Sequence, residues 1–291
     1  MSILLTGANG YLGSRVACAL AAQGLAWFTV QGRLQDLSPA SVQADCVLHC
    51  AGRLRNQPTR VWSDNLEASA ALARALVSPA HVVFVSTRAV YAWRAERSGR
   101  AEAWGAQSWV DEAAAPEPWD AYGASKWAAE QVWLRSEHRS TLCRVPTLFG
   151  HPERAGCFLD RALRSIARGN PLEVAIPDRL EDALDVDALA SALVMLASDP
   201  QLHADQSGPP QRTLWNIAPP ARSLHAMMRA FAQEAGVSEA IFGWRRLPIP
   251  ATPLLNSDAF RRAYAGWRPP DDAAVCQRVL DAMGAQKPVR E

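Results

Sequence analysis

The chain has 291 residues, of which 49% are hydrophobic and 20% are charged, a composition that is typical of folded proteins and too apolar for a disordered chain. Its length fits one sizeable core with a smaller lobe. Thirty Lys and Arg against 29 Asp and Glu leave a net charge of +1, which argues against the broad positive field that recruits nucleic acid.

The cysteines and the apolar runs indicate the cellular compartment of the protein. The six cysteines include no CxxC pair, so we predict reduced, buried thiols and no disulfide framework, zinc site or other metal site. No basic residue precedes the short apolar stretch at the N-terminus, and apolar runs elsewhere are too short to span a bilayer. We therefore expect a cytoplasmic protein with no membrane partner.

Apolar runs alternate with Ala- and Leu-rich helical stretches through the first half of the chain. The predicted strands are SILLT, AWFTVQGRL, DCVLHCA, HVVFVS and LCRVP. The predicted helices are YLGSRVACALAAQ, RVWSDNLEASAALARALV and AYGASKWAAEQVWLRSE. This alternation predicts an α/β fold with a doubly wound parallel sheet. The connection from the second to the third strand is so short that one crossover helix is expected to be missing.

The second half has a looser pattern. Helices are predicted at DRALRSIARG, DALASALVMLAS and SLHAMMRAFAQEAG, strands at PLEVAIP and LWNIA, and a Pro-rich tail follows. We predict a dinucleotide-binding domain over residues 1–150 and a smaller substrate lobe over 151–291, interleaved with the last strands of the sheet.

Four tryptophans, at positions 93, 104, 109 and 119, lie in or next to the segment 92–118, which has no clear period. This segment is predicted to be a long loop or short helix that overhangs a site. The four rings either line a pocket for an apolar or ring-shaped substrate or pack the loop, and packing is the more usual role.

The first strand runs directly into Thr6-Gly-Ala-Asn-Gly-Tyr-Leu-Gly13, and a helical pattern begins at once. Glycines at 7, 10 and 13 permit a tight turn and a close approach of a pyrophosphate to the helix N-terminus. The motif predicts dinucleotide binding, with a purely structural turn as the alternative.

After the second strand, Arg33 occupies the neighbourhood where an acidic residue would contact a free ribose 2′-hydroxyl. An arginine suits a 2′-phosphate, so NADP is favoured over NAD, with a solvated surface arginine as the alternative.

Tyr122 and Lys126 are four residues apart at the start of a predicted helix, which puts phenol and ammonium on one face. A nearby cation lowers the pKa of a phenol, so we expect Lys126 to make Tyr122 a usable acid or base. Thr87 ends the strand HVVFVS, where a hydroxyl can polarise a substrate carbonyl. The alternatives are a surface Tyr–Lys pair and a threonine that only bonds its own turn.

Taken together, these segments resemble the extended short-chain dehydrogenase/reductase family, which includes nucleotide-sugar epimerases, dehydratases and 4-ketoreductases. The similar segments are TGANGYLG, LHCAG, SDNLEAS, STRAVYA, YGASK, RVPTLFG from Arg144, DVD from Asp185, WNI from Trp215 and GWRP from Gly266.

The resemblance implies a Rossmann-type fold and assigns residues to three roles. The implied catalytic residues are Thr87, Tyr122 and Lys126. The implied cofactor-binding residues are Gly7, Asn9, Gly10, Tyr11, Leu12, Gly13, Arg33, Leu34, Cys50, Ala51, Gly52, Asn65, Ser86, Tyr122, Lys126 and Pro146. The implied substrate-binding residues are Ser86, Arg88, Thr147 and Arg179. It also implies a homodimer through helices near residues 58–77 and 120–139.

Departures from the family pattern reduce the number of reactions that the resemblance allows. Dehydratases carry an acidic pair after the catalytic threonine, and Arg88 and Ala89 occupy those positions, which disfavours dehydration. The arginine that holds a nucleotide diphosphate aligns with Glu181, and Arg179 could substitute for it. We therefore predict an NAD(P)-dependent oxidoreductase that reduces a ketone, such as a keto-sugar. The alternatives are an NAD-retaining nucleotide-sugar 4-epimerase and a non-catalytic dinucleotide-binding protein.

Overall fold

The computed structural model describes residues 1–91, 108–175, 179–203, 209–245 and 253–284. Its fourteen described strands are β1 (Ile3–Thr6), β2 (Trp27–Phe28), β3 (Cys46–His49), β4 (His81–Thr87), β5 (Trp109–Val110), β6 (Arg139–Val145), β7 (Leu148–Phe149), β8 (Leu172–Ala175), β9 (Leu180–Glu181), β10 (Leu184–Asp185), β11 (Arg212–Asn216), β12 (Arg222–Ser223), β13 (Phe242–Arg245) and β14 (Leu254–Leu255). The described α-helices are α1 (Tyr11–Ala22), α2 (Ala68–Ala75), α3 (Ala121–Arg135), α4 (Phe158–Ile166), α5 (Val186–Ser198), α6 (Pro200–His203), α7 (Leu224–Ala235), α8 (Asp258–Ala263) and α9 (Asp272–Ala282). Four short 3₁₀ turns and a π-helical turn, Trp62–Glu67, complete the described elements.

Six strands form one parallel sheet in the order β11-β6-β4-β3-β1-β2. All carboxyl ends therefore lie along one edge, and β4 extends that edge to Thr87, opposite Val145 of β6. The chain continues from β1 to β2 on one side and then crosses to β3 on the other. Ligands in open sheets of this kind bind where the strand order reverses.

Helices cover both faces of this sheet. On one face, α1 and α5 pack on Ile3 and Leu5. On the other face, α2 and α3 pack on Leu4, which points the opposite way because side chains alternate along a strand. This arrangement confirms the predicted doubly wound α/β fold.

The second strand is shorter than predicted. It contains only Trp27 and Phe28, whereas the sequence pattern predicted AWFTVQGRL. β2 lies at the sheet edge with one neighbour, and the chain leaves it through Gly32, whose φ is +76°. Between β2 and β3 there is only a 3₁₀ turn, Leu34–Asp36, so the predicted loss of one crossover helix is confirmed.

A second core lies among α4, α7 and α9 and the parallel pair of β8 and β13. The predicted Pro-rich tail contains two helices, α8 and α9, so its description as a tail was wrong. The missed signal is the Asp271 N-cap, whose carboxylate accepts from Ala274 N at 2.8 Å, followed by apolar residues at helical spacing.

All six cysteines are free. Cys46, Cys143 and Cys276 are buried as predicted, but Cys18 is exposed, because it points away from the sheet on α1. Within the ranges that the structure describes, no helix combines the length and apolarity needed to cross a bilayer.

Candidate active site

The glycine-rich turn after β1 is folded so tightly that side chains are excluded from it. Gly7 has a φ of +71°, and a Cβ atom on it would lie 2.7 Å from the backbone nitrogen of Ala51. A Cβ atom on Gly13 would lie 2.0 Å from the carbonyl oxygen of Gly7. These contacts let α1 begin directly against the ends of β1 and β3, as the glycine spacing predicted.

The N-terminus of α1 suits a phosphate group. Its N-cap is Gly10, and among the described residues no side chain caps this end. Asn9 and Gly10 are exposed, so the positive end of the helix dipole lies at the surface of the described structure. Leu12, by contrast, is buried, and the Tyr11 hydroxyl donates to Asp160 at 2.7 Å. Any cofactor contact of these two residues is therefore expected through their backbone.

Three arginines surround one carboxylate beyond the end of β2. Asp64 lies 2.8 Å from Arg53, 3.3 Å from Arg33 and 3.4 Å from Arg60. Burial raises the pKa of Asp64, but the hydrogen bonds from Arg53 and Ser63 outweigh burial and hold that pKa below its usual value. The cluster therefore keeps an excess positive charge. Leu34 is buried and faces the core.

The loop after β3 is anchored to both neighbouring segments. Thr6 Oγ1 accepts from Ala51 N at 3.2 Å, next to the predicted cofactor residues Cys50 and Gly52. Asn65 Oδ1 accepts from Arg53 N at 2.7 Å, and its Nδ2 donates to Ser125 Oγ at 2.9 Å. Asn65 thus ties this loop to the helix that carries Tyr122.

The predicted catalytic residues come together at the carboxyl edge. Asp120 caps α3 by accepting from Gly123 N at 2.7 Å, so Tyr122 lies in the first helical turn. The Thr87 hydroxyl lies within hydrogen-bonding range of the Tyr122 phenol and accepts from Ala89 N at 3.2 Å.

The predicted lowering of the Tyr122 pKa is wrong in this structure. Burial raises that pKa above its usual value, while the Thr87 hydroxyl and the Arg55 guanidinium oppose the rise. Lys126 Nζ lies 4.0 Å from the centre of the Phe84 ring. Burial lowers the pKa of Lys126 to about 8, and the nearby Glu130 carboxylate limits the fall.

A buried polar network lies beneath these residues, and sequence reasoning missed its centre. Glu130 is fully buried and accepts from Ser86 Oγ and, at 2.7 Å, from Arg144 Nη2. The Arg144 guanidinium stacks 4.7 Å from the Tyr91 ring. The available signal was the position of Glu130, four residues after Lys126 on the same helix.

Three of the four predicted substrate residues line a cavity of about 350 Å³, and one of them, Arg88, directly follows Thr87 in the chain. The lining residues are Arg88, Thr147, Phe158, Leu159, Glu173, Val174, Arg179, Glu181, Leu224 and Arg245. Arg88 pairs with the buried Asp182 and donates to Thr147 Oγ1 at 3.1 Å. Ser86 is not part of this set, because its hydroxyl faces Glu130.

The cavity arginines are matched by carboxylates. Arg179 Nε lies 2.7 Å from Glu181, and Arg245 pairs with Glu173. Glu181, which aligns with the family's diphosphate-binding arginine, and Arg179, its predicted substitute, therefore both line this cavity. They form an ion pair there.

The profile of the family described as "RmlD substrate binding domain" matches residues 1–252. The chain belongs to this family. The predicted resemblance to extended short-chain dehydrogenases/reductases is therefore confirmed. No curated protein sequence gives a significant match to the chain.

Solved structures share the fold of this RmlD-family chain over nearly its whole length. MoeE5 in complex with UDP-glucuronic acid and NAD has a TM-score of 0.77 and 21% identity, and 98% of this chain and 99% of that chain are covered. RMD from Pseudomonas aeruginosa complexed with NADPH has a TM-score of 0.75 and 22% identity, with 97% and 98% covered. The dTDP-4-dehydrorhamnose reductase from Bacillus anthracis in complex with NADP has a TM-score of 0.69 and 18% identity, with 96% and 98% covered.

Pro146 and two of the four tryptophans are the remaining predicted residues that the structure describes. Pro146 is buried directly after β6, next to Thr147. Trp109 and Trp119 are 55% and 45% exposed, and the Trp119 ring lies 5.8 Å from the guanidinium carbon of Arg55. Trp93 and Trp104 lie outside the described residues.

Proposed function

We propose that this chain is an NAD(P)-dependent oxidoreductase that reduces a ketone, with a keto-sugar as the substrate class. The observation that carries the proposal is the pairing of Thr87 and Tyr122 at the sheet edge where the glycine turn also opens. A pure dinucleotide-binding protein has no need for a phenol held against a hydroxyl beside a cavity. The NADP-bound dTDP-4-dehydrorhamnose reductase and the NADPH-bound RMD, which share the fold, support this choice.

In the proposed reaction the chain's own residues handle the substrate oxygen. A reduced nicotinamide, when bound, supplies a hydride to the carbonyl carbon. Thr87 donates a hydrogen bond to the carbonyl oxygen, and Tyr122 transfers its phenolic proton to that oxygen. The Lys126 ammonium, on the same helix face, stabilises the phenolate that remains.

NADP is the proposed coenzyme. Arg33, Arg53 and Arg60 share the single carboxylate of Asp64, so their combined charge stays positive at the end of β2. An arginine fork suits a phosphate dianion better than a neutral ribose hydroxyl. The glycine turn, the loop Cys50–Gly52 and Pro146 complete the proposed cofactor set.

The cavity that Arg88 lines is the proposed substrate site. Arg88 and Thr147 present polar groups to it, and Phe158 and Leu224 add apolar walls. We propose that Arg179 contacts a phosphorylated substrate by exchanging its ion pair with Glu181 for one with phosphate. UDP-glucuronic acid in the MoeE5 structure is a ligand of this chemical class.

The overall organisation is also a proposal. The second core supports a substrate lobe over 151–291, while β11 and α5 return from that lobe to the main sheet. The free thiols support the cytoplasm as the compartment. A homodimer is supported by an apolar groove between the turn Trp62–Glu67 and α3, where Trp62 and Trp127 are partly exposed.

The test is a fluorescence titration with NADPH and NADH, followed by a consumption assay on keto-sugars and simple ketones. Tyr122→Phe is expected to abolish turnover and leave dinucleotide affinity nearly unchanged. Tyr264→Phe is the matched control, because the Tyr264 hydroxyl bonds Asp199 away from the site and its loss should leave turnover intact.

Other outcomes of the same assay would contradict the proposal. Sugar interconversion without net coenzyme consumption, by protein purified with dinucleotide bound, would indicate the 4-epimerase. Binding without turnover over the whole panel would indicate a dinucleotide-binding protein.

A further inference from the structure

The loop after β3 places a cation over the proposed catalytic tyrosine. The guanidinium carbon of Arg55 lies 5.6 Å from the centre of the Tyr122 ring and 5.8 Å from that of Trp119. Its Nε lies 3.7 Å from Asp120, the N-cap of the helix that begins with Tyr122. The Arg55 side chain is therefore held between two rings and a carboxylate.

Among the described residues, five charged or hydroxyl-bearing groups are on the elements packed around Tyr122. Arg55 comes from the loop after β3, Thr87 and Arg88 come from the end of β4 and its turn, and Asp120 and Lys126 come from α3 itself. These groups differ in how far their charge is already balanced.

Two of the three cations are engaged elsewhere. The Arg88 charge is matched by the buried Asp182. Lys126 Nζ lies over the Phe84 ring, and the Glu130 carboxylate acts on it. Arg55, by contrast, faces the Tyr122 ring, and among the described residues its carboxylate partner is Asp120, at 3.7 Å.

We propose that Arg55 is a positioning residue that makes Tyr122 more acidic and holds its ring against Thr87. The inference rests on the proposed function, because it concerns the same proton donor. A cation beside a phenol stabilises the phenolate, and Asp120 on the same side opposes that effect. Arg55 and Asp120 therefore act on the Tyr122 pKa in opposite directions.

The opposing pair gives two variants with opposite expected signs. Arg55→Gln should raise the Tyr122 pKa, by less than the loss of a buried contact would, because Arg55 is half exposed. Asp120→Asn should lower it, and asparagine is an equally good N-cap, so the helix start is retained. Arg55→Lys should stay close to the wild type. Arg229→Gln, which removes an exposed arginine paired with Glu239, is the matched control.

The first readout needs neither coenzyme nor substrate. The chain has four tyrosines, so the tyrosinate absorbance of each protein minus that of its Tyr122→Phe counterpart reports Tyr122 alone. Circular dichroism at each pH restricts the comparison to folded protein. The midpoint of the Tyr122 titration should be lowest in Asp120→Asn and highest in Arg55→Gln. The wild type, Arg55→Lys and Arg229→Gln should share an intermediate midpoint.

The second readout is the pH profile of ketone reduction. Because Tyr122 must be protonated to donate, the alkaline fall in kcat/KM should move to higher pH in Arg55→Gln and to lower pH in Asp120→Asn. A purely structural role would change kcat or KM without moving the profile.

The results distinguish a failure of the Arg55 inference from a failure of the proposed function. Equal midpoints for Arg55→Gln and Arg229→Gln, or shifts of the two opposing variants in the same direction, would overturn the inference. If Arg55→Gln does not fold, the Asp120→Asn midpoint alone decides. A wild type that turns over no ketone contradicts the proposed function, and the absorbance titration still tests Arg55.

Discussion

A Cβ atom built on Gly123 would lie 2.2 Å from the carbonyl oxygen of Ala89. The first turn of α3 therefore contacts the turn after Thr87 through backbone alone. This approach brings Tyr122 within hydrogen-bonding range of Thr87. The glycine inside the YGASK segment is thus part of the geometry of the site, although it carries no reactive group.

Gly123→Ala should damage both stability and turnover. The added methyl group must push α3 away from Ala89, and overpacking of this kind costs about 1–3 kcal/mol. We expect a lower unfolding free energy in urea and a drop in kcat of at least tenfold. Gly266→Ala is the control, because nothing lies within 4 Å of a Cβ atom there. If both variants behave like the wild type, the close approach has no role.

Much of the geometry of the proposed site could be predicted from sequence because it is local. The spacing of Tyr122 and Lys126 on one helix and the glycine turn after β1 depend on neighbouring residues, and both formed as expected. The position of Thr87 at the carboxyl edge of the sheet could also be predicted, because the strands are parallel.

Long-range pairings could not be predicted in this way. Glu130 meets Ser86 across 44 positions, and Arg88 meets Asp182 across 94. Nothing in the local pattern around these residues identifies their partners. The predicted direction of the Tyr122 pKa shift was wrong for the same reason. Burial of the phenol raises that pKa, and burial depends on the complete tertiary structure.

Lys126→Met should increase stability at neutral pH while it removes activity. Burial lowers the Lys126 pKa from 10.5 to about 8, so between these pH values the unfolded chain binds more protons and the unfolding free energy rises with pH. Below pH 8 both states are protonated, and the folded protein carries the full cost of a buried charge. We expect the variant to be about 1–3 kcal/mol more stable at pH 7, with the difference shrinking towards pH 10. Urea unfolding at both pH values checks this, and a less stable variant at pH 7 would contradict it.

Arg33→Ala should weaken NADPH binding and leave NADH binding almost unchanged. The Arg33 side chain is exposed at the end of β2 and lies 3.3 Å from Asp64, so its removal costs little stability. Loss of charged hydrogen bonds to a 2′-phosphate corresponds to about 10- to 100-fold in Kd. Fluorescence titration with both coenzymes measures the ratio, and NADH is the internal control. An equal loss for both would place Arg33 elsewhere than at the 2′ position.

Arg88→Gln should destabilise the protein, and adding Asp182→Asn should restore part of the loss. The Asp182 carboxylate is fully buried, so removal of Arg88 leaves an unpaired buried charge, at a cost of about 3–5 kcal/mol. The double variant removes both charges and allows the substrate effect to be measured in folded protein. We expect its KM for the ketone to rise while its NADPH affinity stays near that of the wild type. An unchanged KM would remove Arg88 from the proposed substrate set.

Trp127→Glu should convert the proposed homodimer into a monomer. Trp127 is 38% exposed and lines the apolar groove on α3 together with Leu66 and Val132, so a second copy of this face would cover it. A carboxylate there would have to be buried in the interface, which is strongly unfavourable. Light scattering should give twice 31.6 kDa for the wild type and 31.6 kDa for the variant. Val77→Glu adds the same charge at an exposed apolar residue outside this groove and should leave the mass unchanged. A wild type of 31.6 kDa at micromolar concentration would refute the dimer, and an unaltered mass for Trp127→Glu would move the interface to another face.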